Sequence, residues 1–314
     1  MKKAIGYALF LGFIIYLGFY IYGHSNDFKS LLDVPIQYLF FIAIAHIVII
    51  FFNGLFIKFT IQPFGKDIGY EESFFVSVLT AAGNYFFPVG AGTGIKAVYL
   101  KKKFKLAYTD FMSTLSGNYI LVFLINSLLG LIALFVLRNS ASEAVVSTIG
   151  LVLGGIFVSM LILAFYGFPK TIISWLSKRK AVKRVADLIA QVLRGWNIIT
   201  EHKTLMFKLI SVTVGNFLIT MIIVKLATAA LGFSIGFWPL VLYTALGALS
   251  LLLNVTPGSI GIREAIFIFS SAVLGLTTPQ IFSISIIQNG VLFFVLITAW
   301  ILSRTTFIKN RIAS

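Results

Sequence analysis

Apolar residues run in long blocks along this chain, and polar residues collect between them. A helix that crosses a bilayer needs about 20 consecutive apolar residues. Blocks of that length lie at roughly 4–22, 36–57, 109–137, 145–168, 205–231 and 280–303. Two further apolar stretches are interrupted. One covers about 72–100 and breaks at Pro88-Val89-Gly90-Ala91-Gly92-Thr93-Gly94. The other covers about 238–276 and breaks at Pro257-Gly258-Ser259-Ile260-Gly261. Pro and Gly end a helix, and the backbone groups they free find no partner in lipid. Such breaks persist only against protein or a watery cavity. The pattern therefore predicts an all-α polytopic membrane protein with about six full transmembrane helices and two re-entrant broken-helix hairpins.

The order span, span, hairpin, span occurs twice, once in 1–138 and again in 139–314. The two sets start on opposite sides, which is the layout of an inverted-topology repeat within a single membrane domain. The breaks echo each other as Asn84-x3-Pro88-x3-Gly92 and Asn254-x2-Pro257-x3-Gly261. Charge supports the count. Every Lys and Arg except Lys29, Arg138, Lys225 and Arg263 falls in the N-terminus, 58–108, 169–208 or the C-terminus. Cytoplasmic segments collect such residues, so both termini are expected in the cytoplasm of a bacterial-type plasma membrane. Met1-Lys2-Lys3 and the apolar run to Tyr22 lack a small-residue cleavage site and read as an uncleaved first helix.

Composition narrows the class. Of 314 residues 59% are apolar and only 11% charged, against about 25% charged in a soluble domain. Mean hydropathy is +1.00. A soluble globule and a disordered chain are both excluded. The formal charge of +15 follows from the inner-face bias and does not point to nucleic acid. With no cysteine there is no disulfide, thiolate metal site or cysteine nucleophile. No His/Asp/Glu set has metal-ligand spacing, and neither a nucleophile elbow nor an ATP-binding loop occurs. No cofactor or metal is expected, and the chain does not read as an enzyme.

Segment 170–203 is basic, with apolar residues at helical spacing (Ile172, Ile173, Leu176, Val182, Val185, Leu188, Ile189, Val192, Leu193). Two readings stay open: a helix along the inner membrane surface, or a solvated linker between the halves.

Charges inside apolar stretches are costly and mark functional candidates. Arg263-Glu264 follows the second break, where the turn opens a half-helix near residue 260. Its free N–H groups and positive dipole end suit an anion such as a lipid phosphate, with Arg263 adding a fork of donors. Glu264 either receives a cationic group or neutralises Arg263. In the first break, Gly90, Gly92 and Gly94 precede Lys96 and give a second phosphate-cradling candidate, without the ending of a Walker loop. Lys225 is expected to snorkel outward rather than pair with Glu264. Asp110 is expected to edge the span after the basic run Lys101–Lys105. His46, alone in mid-span, reads as a packing residue.

The stretch Asn254-Val255-Thr256-Pro257-Gly258-Ser259-Ile260-Gly261-Ile262-Arg263-Glu264 resembles the Pro-Gly-Gly-x-Gly-x-x-Glu motif of the lysylphosphatidylglycerol synthase transmembrane family. Asn84 to Leu100 is similar to its other signature, an Asn, a Pro and a Gly-rich turn before a basic residue. Ser259 stands where the family has Gly, and Thr93-Gly94 stand where the first motif carries an acid. The resemblance covers nearly the whole chain and implies lipid translocation, without the soluble aminoacyl-transfer domain. The expected site is Asn84, Pro88, Gly90, Gly92 and Lys96 with Asn254, Pro257, Gly258, Gly261, Arg263 and Glu264, holding an anionic or aminoacylated phospholipid headgroup. Transport of a polyprenyl-phosphate carrier for envelope glycans and a non-transporting scaffold are the alternatives. The expected partners are membrane lipid, a second copy of the chain, or a separate lipid-modifying enzyme.

Overall fold

The computed structural model describes residues 2–87, 90–166, 183–253 and 256–312. Helix α1 (Lys2–Gly23) leads through a 3-10 turn, Ser25–Leu31, to α2 (Ile36–Ile61). Then come α3 (Tyr70–Phe86), α4 (Ala91–Phe104), α5 (Tyr108–Val136), α6 (Glu143–Phe165), α7 (Lys183–Glu201) and α8 (Lys203–Ala230). The chain ends with α9 (Phe237–Leu249), α10 (Ile262–Phe269), α11 (Ser271–Leu274) and α12 (Thr278–Ile312). No strand occurs among the described residues.

Five helices are long and apolar enough to cross a membrane: Ile36–Phe64, Tyr108–Val136, Glu143–Phe165, Lys203–Ala230 and Thr278–Leu302. The protein is a multi-pass membrane protein. The sequence pattern predicts a sixth crossing in α1, whose described apolar part, Phe10–Gly23, is shorter. Both interrupted stretches are helix pairs. In the first, one helix ends at Phe86 and the next starts at Ala91; in the second, the helix ends at Leu249, 3-10 turns cover Ser250–Leu253 and Pro257–Ser259, and the next helix starts at Ile262.

Two apolar cores hold the bundle. One gathers Ile42, Ile50, Phe123, Phe217, Leu246, Phe267 and Ile284; the other gathers Phe56, Ile61, Leu100, Phe111, Leu115, Trp196 and Leu209. Along α2 the cores change over at Asn53, along α5 between Asn118 and Asn126, and along α8 at Asn216. A polar layer therefore lies within the long helices.

Backbone contact decides two helix crossings. A Cβ at Gly83 would stand 2.6 Å from the Gly92 Cα, so α3 and α4 touch main chain to main chain. A Cβ at Gly117 would stand 2.4 Å from the Gly195 carbonyl carbon, and one at Gly195 1.7 Å from the Ser113 oxygen. Small residues permit such approaches between membrane helices.

The second crossing involves the basic segment from Lys183 onward; 170–182 lies outside the described residues. Helix α7 is packed on α5, with Trp196 and Ile199 buried. Arg194 pairs with Asp110 at 2.6 Å, and the Trp196 indole N–H donates to the Ala164 carbonyl at 2.9 Å. The exposed ion pair contributes under about 1 kcal/mol, and the hydrogen bond about 1 kcal/mol. Thermal unfolding in detergent should show Trp196→Phe lowering the midpoint more than Arg194→Ala.

In the last turn of α2, the Lys58 ammonium donates to Asp67 and to the Ile68 carbonyl, each at 2.6 Å. That hydrogen bond holds the Asp67 carboxyl below the usual carboxylate range. Lys225 does not meet Glu264. Its ammonium donates to the Ile235 carbonyl at 3.1 Å, in the loop after α8.

Candidate functional site

The polar layer surrounds a cavity of about 500 Å3. Its walls come from α2, α3, α4, α5, α8, α9, the turn Pro257–Ser259, α10 and α12. Both broken segments reach it. Asn84 and Lys96 line it from the first, and Gly258, Ser259 and Arg263 from the second. The segments also touch directly, since a Cβ at Gly258 would lie 3.5 Å from the Tyr85 ring. The Tyr85 hydroxyl donates to the Asn289 carbonyl at 2.9 Å, tying α3 to α12.

Lys96 is the least compensated charge at this cavity. Its side chain belongs to a residue only 6% exposed. The ammonium stands 5.3 Å from the ring centroids of both Phe56 and Phe111. Ring faces attract a desolvated cation, but among the described residues Lys96 has no hydrogen-bond or ion-pair partner.

Arg263 is the second cation. One guanidinium nitrogen donates to Asn289 Oδ1 at 3.2 Å and to Glu264 Oε1 at 3.4 Å. Its Nε is buried without a partner among the described residues.

Glu264 does not line the cavity. It is 1% exposed, and both oxygens are engaged within the protein. Oε2 accepts the Gly261 N–H at 2.6 Å and Oε1 accepts the Ser285 hydroxyl at 2.7 Å. A carboxylate three residues into a helix caps the helix start and complements its positive end. The start of α10 thus carries its own anion. Asn84 Oδ1 similarly accepts the Gly92 N–H at 3.0 Å, at the start of α4. At each half-helix start one N–H is therefore engaged within the protein, while Lys96 and the Glu264-paired Arg263 are the cations that line the cavity.

The remaining expected site residues shape the backbone. Gly90, Gly258 and Gly261 have φ of +64°, +59° and +91°, in the region that L side chains avoid. Ser259 adopts φ +57° as well, at the place where the motif has Gly. Gly92 sits in the α3–α4 crossing, and Pro257 is buried beneath the turn. Pro88 and Asn254 lie outside the described residues. The sequence reading missed Asn53, Asn118, Asn126, Asn216, Tyr119 and Gln288, all of which line the cavity. Isolated amides inside long apolar helices were the available signal.

The turn separates two environments. Gly258 and Ser259 face the polar cavity, while Ile260 and Gly261 line an apolar groove of about 690 Å3 with Phe13, Val152, Leu249 and Phe269.

A family model described as "Lysylphosphatidylglycerol synthase TM region" matches residues 3–299. The chain belongs to this family. The match spans both broken segments and every helix that lines the cavity. Membership in the lysylphosphatidylglycerol synthase transmembrane family places the cavity in a lipid-associated membrane protein. No curated protein and no solved structure gives a match.

Proposed function

We propose that this protein translocates an anionic membrane lipid, with the lipid phosphate held by Lys96 and Arg263 in the central cavity and the acyl chains left in apolar surroundings. One observation carries this reading: in a bundle with five helices long enough to span a bilayer, two cations on the short helices α4 and α10 line one cavity, and no carboxylate does so among the described lining residues. Lys96 is a buried charge without a counter-charge among the described residues, and such a charge is costly. An arriving anion relieves that cost, and a polar cavity in a membrane bundle is where substrates pass.

The layout supports the movement. Each half runs long helix, long helix, broken pair, long helix. In this reading the pairs are re-entrant hairpins of an inverted repeat, both termini are cytoplasmic, and rocking of one half against the other carries the headgroup across a bacterial-type plasma membrane. The apolar groove beside the turn provides a path for an acyl chain. The chain catalyses no covalent step, and Glu264 acts by positioning Arg263 and the α10 start.

The test is reconstitution in liposomes with fluorescent phosphatidylglycerol, scored by access of a membrane-impermeant quencher. The wild type should expose inner-leaflet lipid. Arg263→Lys keeps a charge beside buried Glu264 but loses the planar fork, and should slow transfer about tenfold, equivalent to ~1.4 kcal/mol. Transfer no faster than in protein-free vesicles, with folded protein present, would overturn the proposal.

A further inference from the structure

A second space opens on the far face of the first broken segment. It is a groove of about 2420 Å3, walled by α2, α3, α4 and α12. On α4, Thr93 and Lys96 line the central cavity, while Ile95, Val98 and Lys102 line the groove. On α3, Ser77 and Thr80 take the cavity side, and Phe74 and Phe75 the groove side. The two spaces share no lining residue among those described, so the helix pair is a partition between them.

The groove is apolar along its length and charged at one end. Ile36, Leu39, Ala43, Ile47 and Phe51 line it along α2. At 1.5 Å per residue that row rises about 22 Å, more than half of a hydrocarbon core of about 30 Å. Glu71 and Glu72 enter from the first turn of α3, and Lys102 and Lys103 from the last turn of α4. This end is level with the end of a spanning helix, because Lys58 in the last turn of α2 binds Asp67 and Ile68 just before α3. An apolar row that ends in charge at that level has the profile of a bilayer leaflet.

Two of the four charges are already matched. Glu72 Oε1 accepts from the Tyr99 hydroxyl at 2.5 Å and from the Lys103 ammonium at 2.6 Å. Glu71 and Lys102 are exposed and make no ion pair or side-chain hydrogen bond among the described residues. Helix ends favour an acid at the start and a base at the finish. That accounts for the residue types, but not for opposite charges lining one apolar groove without closing on each other. A headgroup bearing both signs fits between them. An anionic headgroup meets two carboxylates and a cationic one meets two ammoniums, whereas a net-neutral one matches the local balance. A carboxylate is best answered by an N–H donor. Choline has none and relies on aromatic rings, and the Tyr70 ring at this end already carries the Lys58 ammonium, 4.8 Å from its centroid.

We infer that this groove seats a zwitterionic glycerophospholipid with a primary ammonium, of the phosphatidylethanolamine type. The ammonium donates to Glu71, the phosphate accepts from Lys102, and an acyl chain lies along α2. The site does not rest on translocation through the central cavity.

Native mass spectrometry of the purified full chain in detergent micelles tests it, with one lipid added at a time and acyl chains held the same. Each variant is first checked for a cooperative thermal transition. The wild type should retain phosphatidylethanolamine about fivefold more strongly than phosphatidylcholine, the scale of one partly exposed ion pair. Glu71→Gln should erase that preference. Ile47→Trp, which fills the apolar row, should lower retention of phosphatidylethanolamine by a similar factor. Lys96→Met strips the central cavity of its unpaired lysine and should leave the preference intact. Equal retention of phosphatidylcholine by the wild type, or a preference that survives Glu71→Gln, would overturn the headgroup assignment. Loss of the preference in Lys96→Met would move the lipid to the central cavity and overturn the groove. In that same variant, stronger retention of phosphatidylglycerol or lysylphosphatidylglycerol than of phosphatidylethanolamine would overturn the choice of a zwitterion.

Discussion

Lys96→Met is expected to stabilise the protein and to cost it its anionic lipid. The two effects share a cause. The ammonium belongs to a residue 6% exposed, stands by two aromatic rings, and has no anion partner among the described residues. A cation–π contact contributes about 2 kcal/mol when desolvated, while removing an ammonium from water costs several kcal/mol. Methionine keeps an unbranched stem and adapts to the same space. A gain of about 1–4 kcal/mol follows from exchanging uncompensated buried charge for apolar packing. The thermal midpoint in lipid-free detergent should rise by several degrees. Binding of phosphatidylglycerol should fall by about tenfold or more in the same preparation. A residue placed for folding shows the opposite signature, with both quantities falling together. A lower midpoint for Lys96→Met would therefore remove the lysine from the site.

Part of this site can be read directly from the sequence. The breaks are legible because Pro and Gly interrupt a helix wherever they occur. Phe86 and Ala91 bracket the first break as the residues require, and Gly258 and Gly261 take the left-handed angles that only glycine adopts freely. The second break starts earlier than its glycines suggest, because Ser250–Leu253 already tightens into a 3-10 turn. Lys96 and Arg263 are legible as costly charges in apolar surroundings. Glu264 is only half legible. Its spacing from Gly261 is that of a helix cap, yet composition alone ranks it with Arg263 as a ligand group.

The asparagines mark the limit. Asn53, Asn118 and Asn216 are visible singly, but nothing in local periodicity says that α2, α5 and α8 turn them toward one space. That depends on helix packing, and the packing depends on glycines whose partners lie far away in sequence. Gly117 meets Gly195, and no pattern within either helix announces it. The basic segment shows the same gap: Lys183–Glu201 is helical, while the backbone it rests on is invisible in the sequence.

Gly92→Ala should dismantle the cavity without touching a polar side chain. An added Cβ would lie 1.8 Å from the Thr80 carbonyl oxygen and 2.8 Å from Asn84 Oδ1. The first is main chain within a helix and cannot swing aside. Relief requires α3 and α4 to separate, which breaks the Asn84 cap on the Gly92 N–H and carries Lys96 away from the wall it shares with Arg263. Overpacking of side chains alone costs about 1–3 kcal/mol, and a clash with backbone costs more. At about 2–4 °C per kcal/mol for a chain somewhat smaller than this one, the midpoint should drop by roughly 6–12 °C. Lipid binding should fall at temperatures where the protein remains folded. Gly94→Ala is the internal control. It lies in the same helix, a Cβ there meets nothing within 4 Å, and alanine favours a helix by up to about 1 kcal/mol over glycine. That variant should keep both its midpoint and its lipid. Equal tolerance of Gly92→Ala would mean that α3 and α4 do not touch, and the first broken segment would no longer form a wall of the site.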